Sequence, residues 1–148
     1  MQPYSIIEES GISDIQQGPM VVSLSEDGTR VAIYSQNNGK VKVYEYSDTD
    51  TVWVQIGLLD IDGENAGEFS VYSVSLNSSG DRVAIGAKSN GGNGGHVRVH
   101  TLTDGVWEQT GLDIDGEHAG DFSGYSVSLN SSGDTAVSYT HLRAHETD

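Results

Sequence analysis

Residues 60–81 read DIDGENAGEFSVYSVSLNSSGD, and residues 113–134 read DIDGEHAGDFSGYSVSLNSSGD. Of these 22 aligned positions only three differ, Asn65/His118, Glu68/Asp121 and Val71/Gly124, and the offset is 53 residues. Self-similarity at a period of this size marks a repeat architecture, in which each unit buries its apolar faces against its neighbours. The near-identity of the two blocks follows from recent duplication and needs no functional constraint.

A diverged earlier copy separates skeleton from decoration. Residues 21–35, VVSLSEDGTRVAIYS, are two short apolar runs about an Asp27-Gly28 turn, a hairpin signal. Val31 and Ile33 alternate with Arg30 and Ala32, as a strand requires. KVKVYEY (40–46) is a third strand and VWVQIGLL (52–59) a fourth. The cycle restarts with YSVSL (72–76), RVAIGA (82–87), HVRVHTL (96–102) and Trp107 to Leu112, and a third copy opens with YSVSL (125–129). No segment has a helical period. Four strands in each cycle of about 40–50 residues predict the blades of a β-propeller. A parallel β-solenoid is the weaker alternative, because it needs a shorter coil.

The expected fold is all-β: a fragment of a β-propeller with about two and a half four-stranded antiparallel blades. Residues 1–19 are a partial strand or a leader into the first blade. The blades are expected at 20–71 and 72–124, the start of another at 125–137, and a non-native tail at 138–148. Two and a half blades cannot close a ring, so the chain reads as part of a longer propeller with open faces that favour aggregation.

Composition narrows the partners. Twenty-two acids against seven Lys plus Arg give a net charge of −15, a field that repels phosphate backbones and argues against nucleic acid. There is no Cys, so neither a disulfide framework nor a thiolate metal site exists. No apolar run approaches the roughly 20 residues of a membrane span, so membrane insertion is not expected. The opening MQPYSIIEESG lacks the basic and apolar regions of a signal peptide, so for an exported protein the signal is expected upstream. The 19 glycines and 35% hydrophobic content suit short strands joined by tight turns.

At residues 72–99 the chain resembles FG-GAP-type repeats, the blades of the integrin-α-like propeller. The resemblance rests on Tyr72-Ser73-Val74, the turn at Gly80-Asp81, the step Ile85-Gly86-Ala87 and the Gly-rich lead into the strand at Val97. Trp107-x-Gln109 followed by an acidic loop and Gly124-Tyr125 is similar to a bacterial and algal branch of these repeats. It covers residues 20–137; the first blade is equally similar to WD-type or TolB-type blades. The resemblance implies an extracellular or cell-surface module. The family's calcium loop between the first two strands does not carry over, because Asn77 to Asp81 is too short and holds too few carboxylates. The last eleven residues, SYTHLRAHETD, resemble adaptor-derived sequence found at the ends of unrelated translated reads.

Candidate chemistry is sparse. Asp60, Asp62 and Glu64, and again Asp113, Asp115 and Glu117, set carboxylates at alternate positions beside a Gly, as a Ca²⁺ loop begins. The stretch lacks the closing bidentate Glu, so an acidic inter-blade loop is the competing reading and Ca²⁺ the one cofactor in view. Asn77 and Asn130 head Asn-Ser-Ser sequons, open to glycosylation only in a secreted protein and equally suited to hairpin turns. Residues 90–95, NGGNGG, lack the Lys-Ser/Thr of a phosphate loop. His141 and His145 have metal spacing but lie in the tail, and His96, His100 and His118 are expected as isolated surface residues. Trp53 and Trp107 recur at equivalent strands and read as blade packing, with sugar stacking as the alternative. No catalytic residue is identified.

The function expected is therefore a non-catalytic binding or adhesion module, holding a protein or glycan ligand on blade loops. A propeller enzyme, such as a glycoside hydrolase or lyase, and a purely structural array are the alternatives.

Overall fold

The computed structural model describes residues 20–35, 39–62, 71–87, 94–118 and 121–139. Eleven strands form among them and no helix. The first sheet runs β1 (Met20–Leu24), β2 (Arg30–Ser35), β3 (Lys40–Ser47) and β4 (Val52–Asp62), each antiparallel to the strand before. The second repeats the order with β5 (Val71–Leu76), β6 (Arg82–Ala87), β7 (His96–Thr103) and β8 (Val106–Gln109). A short β9 (Ile114–Asp115) also pairs with β7. The third unit is the hairpin β10 (Ser126–Leu129) and β11 (Ala136–Tyr139). The fold is all-β, an open run of two antiparallel blades and the first two strands of a third.

Sequence alternation explains why both faces of each blade are apolar. Ala32, Tyr34, Val41 and Val43 of the first blade join Val74, Leu76, Val83, Ile85 and Trp107 of the second in one buried cluster. The residues between them, Val31, Ile33, Tyr44 and Trp53, form a separate cluster on the first blade's other face. On the second blade's far side, Ala84 and Val97 pack with Val127 of the third. Each interface thus uses one residue in two from each strand, as stacked sheets require.

The fourth strands depart from expectation in one respect. Asp60 to Asp62 were expected to lead an inter-blade loop, but they belong to β4. The register shifts from Val43↔Ile56 to Val41↔Ile61, so β4 bulges and then resumes its ladder. In the second blade, β8 ends at Gln109 and β9 restores the pairing at Val97↔Ile114. The D-I-D segment is thus the far end of β4 in the first copy, while in the second Ile114 and Asp115 form β9 and Asp113 precedes it outside the strand. At the other terminus, β11 includes Ser138 and Tyr139, two residues assigned by sequence to the tail.

Candidate functional site

Hairpin turns and blade-to-blade fasteners are the best-defined polar features. In the first turn the Ser25 hydroxyl accepts from the Arg30 amide at 3.0 Å, and Asp27 accepts from the Thr29 amide at 2.9 Å. Asn77 and Asn130 take over the place of Ser25. The Asn77 Oδ1 accepts from the Arg82 amide at 2.9 Å, and the Asn130 Oδ1 from the Thr135 amide at 3.0 Å. Their amide nitrogens donate to Asp81 at 2.7 Å and Asp134 at 2.6 Å. These bonds favour the charged carboxylate. The Thr29 amide foremost holds Asp27 below the ordinary carboxyl range, while Asn77 does so for Asp81 and Asn130 for Asp134.

Successive turns are also joined to each other. The Ser23 hydroxyl of β1 accepts from the Leu76 amide of β5 at 3.0 Å, and Ser75 of β5 accepts from the Leu129 amide of β10 at 3.0 Å. The Glu26 amide donates to the Ser78 carbonyl at 3.0 Å, and the Ser78 amide to the Ser131 carbonyl at 3.0 Å. The Ser78 hydroxyl adds a bond to the Glu26 carboxylate. The serine-to-leucine-amide bond and the turn-to-turn backbone bond recur at both interfaces, and the Ser78–Glu26 bond belongs to the first.

These contacts define the two sequons. Asn77 is 3% exposed, and its Nδ2, the atom a glycan would be linked through, donates to Asp81 inside the turn. Its local role is that of a hairpin residue. Asn130 makes the same turn bonds on an exposed surface.

The acidic stretch is best seen in the second copy. Asp113 accepts two hydrogen bonds from Arg98, Nε to Oδ1 at 2.9 Å and Nη2 to Oδ2 at 2.8 Å. Gln109 Nε2 donates to the same Oδ1 at 2.7 Å. The Arg98 guanidinium, helped by Gln109, holds the Asp113 carboxyl down at about 2. Asp115 and Glu117 are exposed. Among the described residues no three His, Asp or Glu side chains gather as a cation site. The side chains of Asp60 and Asp62, with all of Glu64, lie outside the described residues, as do residues 90–93, His141 and His145.

Two histidines differ from the expected surface setting. His96 is 6% exposed, because the segment leading into β10 crosses the start of β7: Gly95 bridges Ser123, and the Ser123 amide donates to the Gly94 carbonyl at 2.9 Å. His100 is half-buried, and its Nδ1 has no hydrogen-bond partner among the described residues. Burial, aided by the charge of Arg98, lowers His100 to about 4. His118 is exposed, as expected.

Trp107 is a packing residue. Its Nε1 donates to the Ile56 carbonyl of the first blade at 3.2 Å, and its ring lies against Gly57. Trp53 is buried beside Tyr46, edge to face, with centroids 5.4 Å apart. The partners Arg98 and Gln109 escaped sequence reasoning. A signal was present: a basic residue at the same place in β3 and β7, Lys42 and Arg98, precedes an Asp in each copy.

No family model matches this chain, and no curated protein matches it. Solved structures do. A candidate 6-phosphogluconolactonase from Bacteroides uniformis is 13% identical with a TM-score of 0.55, over 79% of this chain and 31% of that one. One from Bacteroides fragilis gives the same identity and score over 79% and 30%. The complex of KlAtg21 with the coiled coil of AgAtg16 gives a TM-score of 0.58 at 12% identity, over 82% and 36%. The chain spans about a third of the length of the structures it matches. At these identities the likeness shows the fold, a β-propeller, and nothing finer.

Proposed function

We propose that the chain is a stretch of an FG-GAP-like propeller at the cell surface or outside the cell, acting as a non-catalytic binding module for a protein or glycan. The observation that supports this most is the repeated fastening of Ser23 to Leu76 and of Ser75 to Leu129. Polar residues shared by the blades serve the frame, which leaves recognition to loop positions at which the blades differ. Labelled protein on glycan and extracellular-protein arrays is expected to show saturable binding to one ligand class, and substitutions in the loops should weaken it.

The second reading is a segment of a propeller enzyme. It draws on the two lactonase-named neighbours. Net charge weighs against a phosphorylated sugar lactone as substrate, since a field of −15 repels an anion. Enzyme-dependent hydrolysis of that lactone, with no saturable ligand on the arrays, would favour the enzyme and overturn the binding reading.

A further inference from the structure

The joint between the first and second blades holds an ionisable group that the joint between the second and third lacks among the described residues. Leu102 of β7 packs in the cluster shared with the first blade, whereas Val97 and Val99 pack with the third. Alternation therefore turns His100 toward the first blade, and its ladder partner Val83 belongs to that same cluster. The His100 Nδ1 is sealed from solvent and has no hydrogen-bond partner among the described residues. In the first blade Tyr44 stands at the equivalent position. The second joint is built on Ala84, Val97 and Val127, with Val99 and Leu129 against them, and none of these side chains titrates.

The charges around His100 are cationic or already engaged. Arg98 lies two residues away on the same face, and beyond it come His96 and, opposite that, Asp115. Both carboxylate oxygens of Asp113 accept from Arg98, and Gln109 donates to one of them. The residues of β5 and β6 in the joint are apolar. Across it the first blade brings Arg30 and Glu45, which pair with each other at 2.7 Å, and Tyr34, whose hydroxyl has no partner either. The strands β1 and β4 place no charged side chain on that face among the described residues. A protonated imidazole carries an N–H on both nitrogens. The cation would thus seal a donor without an acceptor in the joint and set a second positive charge beside Arg98.

We propose that the joint between the first and second blades is an acid-sensitive switch: protonation of His100 parts these two blades while the joint between the second and third holds. Parting gives the imidazole water, so the open form takes up the proton more readily than the closed one. Burial foremost, and then Arg98, hold His100 at about 4 in the closed form against 6.5 when free. Opening therefore grows as pH falls from 6.5 toward 4. The proposal is independent of what the blade loops bind.

Amide hydrogen exchange of the 148-residue chain, resolved by NMR, tests this with three reporters. The Leu76 amide donates to Ser23 across the first joint, and the Leu129 amide to Ser75 across the second. The Leu102 amide donates to the Asp81 carbonyl within the second blade. Between pH 7 and 5 the opening constant at Leu76, corrected for intrinsic exchange, should rise about 20-fold. Those at Leu129 and Leu102 should stay nearly level. His100→Tyr, which copies the first blade, and His100→Gln should each flatten the response at Leu76, while His118→Gln at an exposed position should keep it. The comparison within wild type needs no variant to fold. A Leu76 amide indifferent to pH would overturn the proposal. So would a parallel rise at all three amides, which is global unfolding, or a rise at Leu76 that survives in a folded His100 variant.

Discussion

Trp107 of the second blade lies so close to Gly57 of the first that a Cβ at position 57 would meet its Cδ1 at 2.5 Å. The indole takes the space a side chain would fill, and its Nε1 reaches the Ile56 carbonyl. Gly57 has φ +92°, so an L side chain there is strained as well as crowded. Gly57→Ala is expected to destabilise the chain by about 2–4 kcal/mol, from the left-handed backbone and overpacking together. Gly111, its equivalent, has φ +75° but open surroundings, so Gly111→Ala should cost only about 1–2 kcal/mol. Urea melts of the two variants compare them directly, and equal losses would refute the role of the indole.

Asn77 and Asn130 make matching turns in different surroundings. Asn77→Ala leaves the Arg82 amide and the Asp81 carboxylate without their partner in a buried turn, and about 2 kcal/mol should be lost. Asn130→Ala is expected to lose about 1 kcal/mol or less, because water replaces the bonds. Denaturant midpoints decide the order.

Asp113 is held in its charged form by Arg98, so its folded pKa lies below the unfolded value of 3.8. The unfolded chain therefore binds more protons between those values. The stability from Asp113 is complete above about pH 4 and is lost as pH falls toward 2. Asp113→Asn should flatten that part of the acid-unfolding profile. Because both carboxylate oxygens already accept from Arg98, excess Ca²⁺ should leave the melting curve where EDTA at equal ionic strength leaves it. A Ca²⁺-dependent rise in Tm that Asp113→Asn abolishes would contradict this.

His100 acts over a higher window. Its folded pKa is lowered from 6.5 to about 4, so the imidazole stays neutral in the fold while the unfolded chain takes up a proton. Stability from this source is present above pH 6.5 and declines as pH falls toward 4. His100→Leu removes the titration and the unpartnered Nδ1 together. Its stability should vary less than that of wild type between pH 6.5 and 4, as thermal melts in matched buffers would show.

Strands and hairpins were legible because alternation and Gly-containing turns are local signals. Val31 and Ile33 against Ala32, and Asp27-Gly28, sufficed for the first hairpin. The end of β4 was hidden because its bulge breaks alternation: Ile56 and Ile61 both pair with β3, but the residues between them do not keep step. The partners of Ser23 and Ser75 were hidden for another reason. Each hydroxyl serves an amide in the next blade, and a lone serine in a strand does not announce a partner so distant in sequence. His96 is buried by a segment that crosses over it from the next repeat, which no property of its own strand foretells.

Gly86 and Gly124 approach at the second interface, where a Cβ on Gly124 would meet the His96 carbonyl at 2.5 Å and one on Gly86 the Ser73 hydroxyl at 2.5 Å. The same positions at the first interface hold Tyr34 and Val71, both in or against the shared apolar cluster. Two copies descended from one ancestor have thus settled on opposite solutions, bulk at one joint and bare backbone at the other. Either residue of the bulky pair, placed alone into the glycine joint, meets backbone that has closed in. The reverse exchange leaves only a hole. A side chain returns to the glycine joint only if the backbone there first moves apart.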